Sequence, residues 1–520
     1  MDLQTMIGQM ICVGFEGTQA PETLLELIRT YKIGNIALFA HNFENKEQAQ
    51  ALISQLRNFI IDQTGYPPLL SVDQEGGMVT RFSKDFTHFP GAMATAATGE
   101  TANARRIAYA TGLEHLAVGL TADLAPVVDV NTNPNNPVIG VRSYGDTPET
   151  VTDYAMEFLA GLEDAGVLSM LKHFPGHGDT SQDSHFALPR VDKTMEELMN
   201  CELVPYIEGI KRGAPAIMTS HIVYPAIDPS GLPATMSPAL MHGLLREKLG
   251  FQGIIRTDDL EMEAIREKYG IIPGALAAAK AGVDIMSISR SPHLGGELAA
   301  LIAEEIESGH MDKAIVEAAF ERIVRCKNKY FFTPDEKRPA LSIVGCEAHR
   351  ALASEISRQS IALYRKGTGG LDVTGRVLVI GTNAFNQTNI RNPLLLELNM
   401  PTLLAKRLCG EGMTIAIKPT EAEMAAVMEK AAHADTVIFG TYNGHLFREQ
   451  IELAHRLAKT HPHVIFVAMR NPYDLPLLPE NATSLAAYEY TNVSIDTLGE
   501  IFAGNIKPCG TICVALDGVH

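Results

Sequence analysis

The chain has 520 residues, 46% of them hydrophobic and 20% charged, which is more than one core usually organises and ample material for two. Its 43 basic and 61 acidic side chains give a formal charge of −18, which repels nucleic acid and anionic membrane surfaces. No apolar run approaches the roughly 20 residues that cross a bilayer, and the opening Met1-Asp2-Leu3-Gln4 lacks the character of a signal peptide, so a cytoplasmic protein without nucleic-acid or membrane partners is expected.

From residue 9 to about 290, short apolar runs alternate with longer segments of helical period. Strands are predicted at residues 9–13, 35–39, 69–72, 122–128, 167–171, 216–219, 253–256 and 284–287. Eight such runs in βα alternation predict an α/β protein that begins with a (β/α)8 TIM-type barrel. Ionisable residues follow several of these runs closely: Asp73, Asp129, Lys172, His221 and Asp258. A barrel opens the C-terminal ends of all its strands onto one face, so it would gather these distant residues into one pocket.

Helical patterns at 297–307 and 313–327 close this unit, and the polar, proline-bearing stretch 332–339 reads as a connection. The predicted division is a barrel over 1–335, a linker over 336–345 and a C-terminal α/β/α sandwich over 346–520. In the sandwich a helix is predicted over 347–364, strands over 376–380, 414–417, 436–439, 464–468, 484–487 and 511–516, and helices over 421–432 and 448–459. Gly367-Thr-Gly-Gly370 precedes a strand instead of following one, so it reads as a loop and not as a phosphate cradle.

The cysteines at 12, 201, 326, 346, 409, 509 and 513 lack the paired spacing of a zinc site or disulfide framework and read as reduced and structural. Neither a metal nor a cofactor is expected. The absence of tryptophan argues against a long polysaccharide cleft, where large aromatic platforms stack on sugar faces, and favours a small soluble substrate.

Residues 172–185 concentrate Lys172, His173, His177, Asp179, Asp183 and His185 in a loop that Pro175, Gly176 and Gly178 keep out of helix and strand. Groups that titrate near neutral pH suit general acid/base work. Asp183 lies two residues from His185, close enough to orient the imidazole and favour its cationic form. An oriented histidine also serves acyl transfer, but the chain has no Gly-x-Ser-x-Gly turn to carry a nucleophilic serine. Metal binding by His173, His177 and His185 would need a helix face, which the proline and glycines exclude. Thr257-Asp258-Asp259-Leu260 follows an apolar run; its carboxylates could emerge at the barrel mouth or could cap the next helix. Asp73 follows a strand as well, with Gly76 and Gly77 permitting close backbone approach to a ligand.

Asp73-Gln-Glu-Gly-Gly-x-Val-x-Arg81, Val141-Arg142-Ser-Tyr-Gly145, Lys172-His-Phe-Pro-Gly-His-Gly-Asp-Thr180 with Asp183-Ser-His185, and Thr257-Asp-Asp-Leu260 occur in an order that resembles family 3 of the glycoside hydrolases. Within that family the Asp-Ser-His loop resembles the NagZ-type β-N-acetylglucosaminidase branch. The resemblance implies Asp258 as nucleophile, His185 as general acid/base, Asp183 as its dyad partner, and Asp73, Arg81, Arg142, Lys172 and His173 as ligands of a terminal N-acetylglucosamine. It also implies an exo-acting, retaining hydrolase of small glycans or muropeptides with a role in cell-wall recycling. Thr257 and Glu261 stand where serine is frequent in relatives, a minor departure. Arg470-Asn-Pro-Tyr-Asp474 and the closing segment 510–516 resemble the C-terminal domain of two-domain members. Two other readings fit the same residues: a phosphorylase that passes the same covalent intermediate to phosphate, and a sugar-binding protein without turnover.

Overall fold

The computed structural model describes residues 2–82, 85–181, 188–331, 338–383 and 398–517. Eight parallel strands form the first unit: β1 (Ile11–Val13), β2 (Asn35–Ala37), β3 (Leu69–Val72), β4 (Ala122–Asp123), β5 (Met170–Phe174), β6 (Ala216–Thr219), β7 (Ile254–Asp259) and β8 (Ile285–Ile288). Their order, β4-β3-β2-β1-β8-β7-β6-β5, leaves β4 and β5 at the two ends. Those ends meet: Asp123 N donates to Leu168 O at 2.8 Å, Met170 N to Ala125 O at 2.8 Å and Val128 N to Lys172 O at 2.8 Å, which closes the TIM-type barrel. The expected strand over 122–128 is regular only at its start, because Pro126 has no N–H to give to the ladder.

Helices lie between the strands, and their ends follow the local sequence. Asn45 accepts from Gln48 N to start the helix Lys46–Thr64, and Gly65 ends it at φ +75°, a conformation that costs glycine nothing. Inside the barrel the strands do not enclose a wholly apolar core. Arg256 is buried there and donates to Ser287 Oγ at 2.8 Å, to Ser71 Oγ at 2.7 Å and to Cys12 Sγ at 3.3 Å, so its guanidinium ties β1, β3, β7 and β8 together.

The second unit is an α/β domain around six strands: β9 (Ala362–Arg365), β10 (Val377–Thr382), β11 (Glu411–Ile415), β12 (Thr436–Thr441), β13 (Val464–Ala468) and β14 (Thr483–Ala486). The order is β11-β10-β12-β13-β14-β9, parallel except for β9, which pairs antiparallel with β14. Two expectations change here. The helix predicted over 347–364 stops at Ser360, and residues 362–365 become the edge strand instead. The tail predicted as a strand over 511–516 is irregular. Gly510 N donates to Ile361 O at 2.9 Å, and then the backbone donors turn to the barrel: Thr511 N to Ala97 O at 2.8 Å and Ala515 N to Asp146 Oδ2 at 2.6 Å.

Residues 332–337, at the start of the expected connection, lie outside the described residues. One buried carboxylate of the barrel holds the chain just beyond them. Glu114 is buried and accepts from Thr87 N at 3.0 Å, Thr87 Oγ1 at 2.6 Å, Gly345 N at 3.1 Å and His349 Nδ1 at 2.7 Å. Burial pushes this carboxyl up, but His349 and Thr87 outweigh burial and hold it below its ordinary 4.5. A carboxyl so lowered contributes stability that is present above pH 4.5 and lost as the pH falls through its folded value. Glu114→Ala should therefore cost about 2–4 kcal/mol, read as a lower urea midpoint at pH 7, with the deficit against the unmodified protein unchanged down to pH 4.5 and shrinking as the pH falls below it.

Candidate active site

The C-terminal ends of β3, β5 and the loop after β4 supply a cluster of charges that is nearly closed to solvent. Lys172, in β5, is 1% exposed. Its Nζ lies 2.7 Å from Asp73 Oδ1 and 2.6 Å from Glu75 Oε1. Arg142 grips Glu75 with two parallel bonds, Nε to Oε2 at 2.9 Å and Nη2 to Oε1 at 2.8 Å. Arg81 stands 3.5 Å from the other oxygen of Asp73. Burial would push both carboxyls up, yet Lys172 with Arg81 holds Asp73 well below the carboxylate range, and Arg142 with Lys172 brings Glu75 down to about 2. Burial likewise works against the charged Lys172 and Arg142, and the facing carboxylates overcome it in both, raising each above its ordinary value.

The loop 73–81 owes its shape to Gln74, whose Oε1 accepts from Thr80 Oγ1 at 2.9 Å and Arg81 N at 3.0 Å, while its own N–H goes to Asp123 Oδ1 at 3.0 Å. Asp129 does the same for the loop after β5. Its Oδ1 accepts from His173 N at 3.1 Å and His177 N at 2.7 Å, and its Oδ2 takes His173 Nδ1 at 2.7 Å. With Nδ1 committed, His173 turns Nε2 to Arg142 Nη2 at 3.5 Å. His177 pairs its Nδ1 with Thr180 Oγ1 at 2.9 Å, and burial pushes its pKa down to about 4, so it is neutral at pH 7. Gly178 is required where the loop crosses the strand end, since a Cβ there would lie 1.7 Å from Val130 O.

Consecutive strand residues normally point to opposite faces, yet Lys172 and His173 both reach this network. The β5–β6 register shifts between Leu171 and Phe174, and the extra residue re-aims the pair. A second shift, between Arg256 and Asp259 on β7, falls on Thr257 and Asp258. Asp258 and Asp259 then part. Asp259 Oδ1 accepts from Glu261 N at 3.2 Å and Ser289 N at 3.3 Å, Ser289 Oγ donates to its other oxygen, and its carbonyl is 3.0 Å from His221 Nε2. Burial pushes the Asp259 carboxyl up to about 6. Asp258 is partly exposed, and its Oδ1 accepts from Asp259 N at 2.8 Å.

Asp73, Arg81, Arg142, Lys172 and His173 are thus joined in one network, and Asp258 is the next-to-last residue of a strand whose C-terminal end opens at the same mouth. Asp183 and His185 lie outside the described residues. Sequence reasoning passed over Glu75 and gave Asp129 no role. The signal for Glu75 was its place in Asp73-Gln-Glu-Gly-Gly77, where an acid beside a glycine turn at a strand end could have been weighed as a ligand.

The glycosyl hydrolase family 3 N-terminal domain is matched by residues 2–326. Among curated relatives, a beta-hexosaminidase A of Pseudoalteromonas piscicida is 37% identical over 366 residues, 66% of this chain and 61% of that one. The chain thus spans under two thirds of that relative's length. A beta-hexosaminidase of Alkalilimnicola ehrlichii is 37% identical over 294 residues, 55% of this chain and 82% of that one. Among solved structures, a family 3 beta-N-acetylglucosaminidase from Paenibacillus sp. str. FPU-7 superposes with a TM-score of 0.90 at 34% identity, over 99% of each chain.

Removing the ammonium from this cluster while leaving its carboxylates strands them away from water. Lys172→Met should lower stability by about 3–5 kcal/mol at pH 7, measured by denaturant unfolding. The loss should narrow towards pH 4, because Asp73 and Glu75, no longer held down by the lysine, then take up protons instead of remaining charged.

Proposed function

The chain belongs to glycosyl hydrolase family 3, and on that premise we propose that it is an exo-acting, retaining β-N-acetylglucosaminidase that removes terminal β-linked N-acetylglucosamine from small glycans. The observation that carries this reading is the closed cluster of Lys172, Asp73, Glu75 and Arg142 at the barrel mouth where the bulged end of β7 presents Asp258. A rigid array of charged donors and acceptors suits hydroxyl recognition, since each sugar O–H can both give and accept a hydrogen bond. A network that closes around a terminal residue favours exo action.

In this reading Asp258 attacks the anomeric carbon as the bond to the leaving oxygen breaks, and His185, oriented by Asp183, gives that oxygen its proton. The product of this step is a glycosyl ester on Asp258. His185, now neutral, takes a proton from water, which attacks the same carbon from the opposite face and frees the carboxylate. The β configuration is inverted twice and so retained. Asp73, Arg81, Arg142, Lys172 and His173 hold the sugar's hydroxyls during both steps. We extend the reading to muropeptides in the cytoplasm, where such an enzyme would serve cell-wall recycling. It involves neither metal nor cofactor, and its partner is the glycan itself. Among the described residues no helix is long and apolar enough to cross a membrane.

The test is turnover of p-nitrophenyl N-acetyl-β-glucosaminide and of a disaccharide, with and without phosphate. Free sugar in its β form should appear first by NMR at the same rate in either buffer; sugar 1-phosphate would identify a phosphorylase, and calorimetric binding without product a silent binder. Asp258→Ala should remove essentially all turnover. His185→Ala should lower kcat by about 10² to 10⁴ on the disaccharide and less on the aryl substrate, whose leaving group needs little protonation. Equal, modest losses from both variants would overturn the assignment.

A further inference from the structure

We propose that Asn471 and Glu489 of the second domain are positioning residues for the sugar site, each clamping one of the two barrel loops that bring Glu75 and Arg142 together. The inference rests on the glycosidase reading for its kinetic consequence and on geometry for the clamps themselves.

Arg142 is the last residue of a single turn, Gly140–Arg142, and the start of that turn is gripped from the second domain. Val141 N donates to Asn471 Oδ1 at 3.0 Å. Gly140 has φ +47°, and a Cβ on it would lie 2.5 Å from the same oxygen. Gly140 N donates to Asn131 Oδ1 at 3.1 Å, and Asn131 Nδ2 in turn donates to Tyr473 Oη at 2.8 Å. Asn471 and Tyr473, two residues apart after β13, therefore fix both backbone donors that precede Arg142.

The loop that carries Glu75 is gripped in the same way from the end of β14. Gly76 and Gly77 follow Glu75 at φ +87° and +54°, and Gly77 N donates to Phe89 O at 2.8 Å, which lays this turn on residues 89–91. Gly91 N donates to Glu489 Oε2 at 3.0 Å. A Cβ on Gly77 would lie 2.8 Å from Gly91 and 2.9 Å from that carboxylate oxygen. Glu489 is 2% exposed; Thr491 Oγ1 donates to its other oxygen at 3.1 Å, and burial pushes its pKa up to about 7. Met78 and Val141, the residues next to each clamp, pack into the apolar core of the second domain. A small cavity between the clamps is lined by Glu75, Gly77, Gly91, Arg142, Tyr488 and Glu489.

Glu75 and Arg142 are 67 residues apart, and their paired bonds need both loops at fixed height. Loosening either loop turns that pair into a set of single, bent contacts, and the sugar loses aligned partners in the ground and transition states alike. The predicted signature is a change in KM larger than that in kcat.

In the full-length protein, Asn471→Ala and Glu489→Ala should each raise KM for the aryl N-acetylglucosaminide about tenfold, with kcat falling less than KM rises. Asn471→Asp and Glu489→Gln keep an acceptor at each place and should recover most of the affinity. Hydrogen exchange, read without substrate, should quicken at residues 75–79 and 138–142 in the alanine variants. A lower melting temperature with KM and exchange in those two loops unchanged would overturn the proposal and leave an ordinary domain contact. If the unmodified protein fails to turn over the substrate, the glycosidase reading fails, while exchange still decides the clamps.

Discussion

Lys172 carries a full positive charge to a point where 1% of its surface meets water, and the barrel mouth is arranged around the consequences. Desolvating an ammonium costs several kcal/mol even after the protein relaxes, so the charge persists only because Asp73 and Glu75 lie within 2.7 Å of it. Those carboxylates bring their own desolvation cost and require Arg81 and Arg142. Arg142 then approaches His173, and Asp129 holds His173 and folds the loop that follows. Each group is tolerable only because the next is present, which is why the network is rigid. In the proposed reading a sugar hydroxyl entering it would meet donors and acceptors already aligned, with little left to reorganise.

Such a network asks for geometry that regular strands do not supply. Both register shifts recorded on barrel strands after β4 occur beside candidate residues, one between Leu171 and Phe174 and one between Arg256 and Asp259. The cost is local: a lost ladder bond in each strand. The benefit is that neighbouring side chains, otherwise sent to opposite faces, can serve one pocket. The loops above the strands have no ladder to hold them and draw their rigidity from side chains such as Gln74 and Asp129, and from backbone seated against the second domain.

What could be read in the sequence follows the same division. Strands over 69–72, 216–219 and 464–468 coincide with β3, β6 and β13, because apolar runs bounded by turn residues leave little choice of register. The edge strand β9 escaped, since Ile361 to Tyr364 continue a helical pattern and only pairing with β14 decides the matter. The tail after Pro508 is apolar enough for a strand, but its donors find the barrel first. Most charged residues of the motifs announced themselves, but Glu75, inside one of them, was passed over, because its role rests on Arg142 arriving from 67 residues away. Asn471 sat in a motif that was noticed without a role, because its partner is a backbone N–H at Val141, and no sequence pattern records that.

The adjacent acids of Thr257-Asp258-Asp259 illustrate how structure separates residues that composition cannot. Both could have been caps of the next helix, but that helix begins after Met262 with no side-chain cap; Asp259 instead spends its oxygens on Glu261 N, Ser289 N and Ser289 Oγ, fastening the turn after β7 to the end of β8. Burial, with Glu261 and Asp258 adding to it, raises that carboxyl to about 6, so at pH 7 it is still largely ionised. Asp259 thus anchors the bulge that carries Asp258. The fastening role of Asp259 and the proposed catalytic role of Asp258 fall on different residues of the pair; the first provides the geometry for the second.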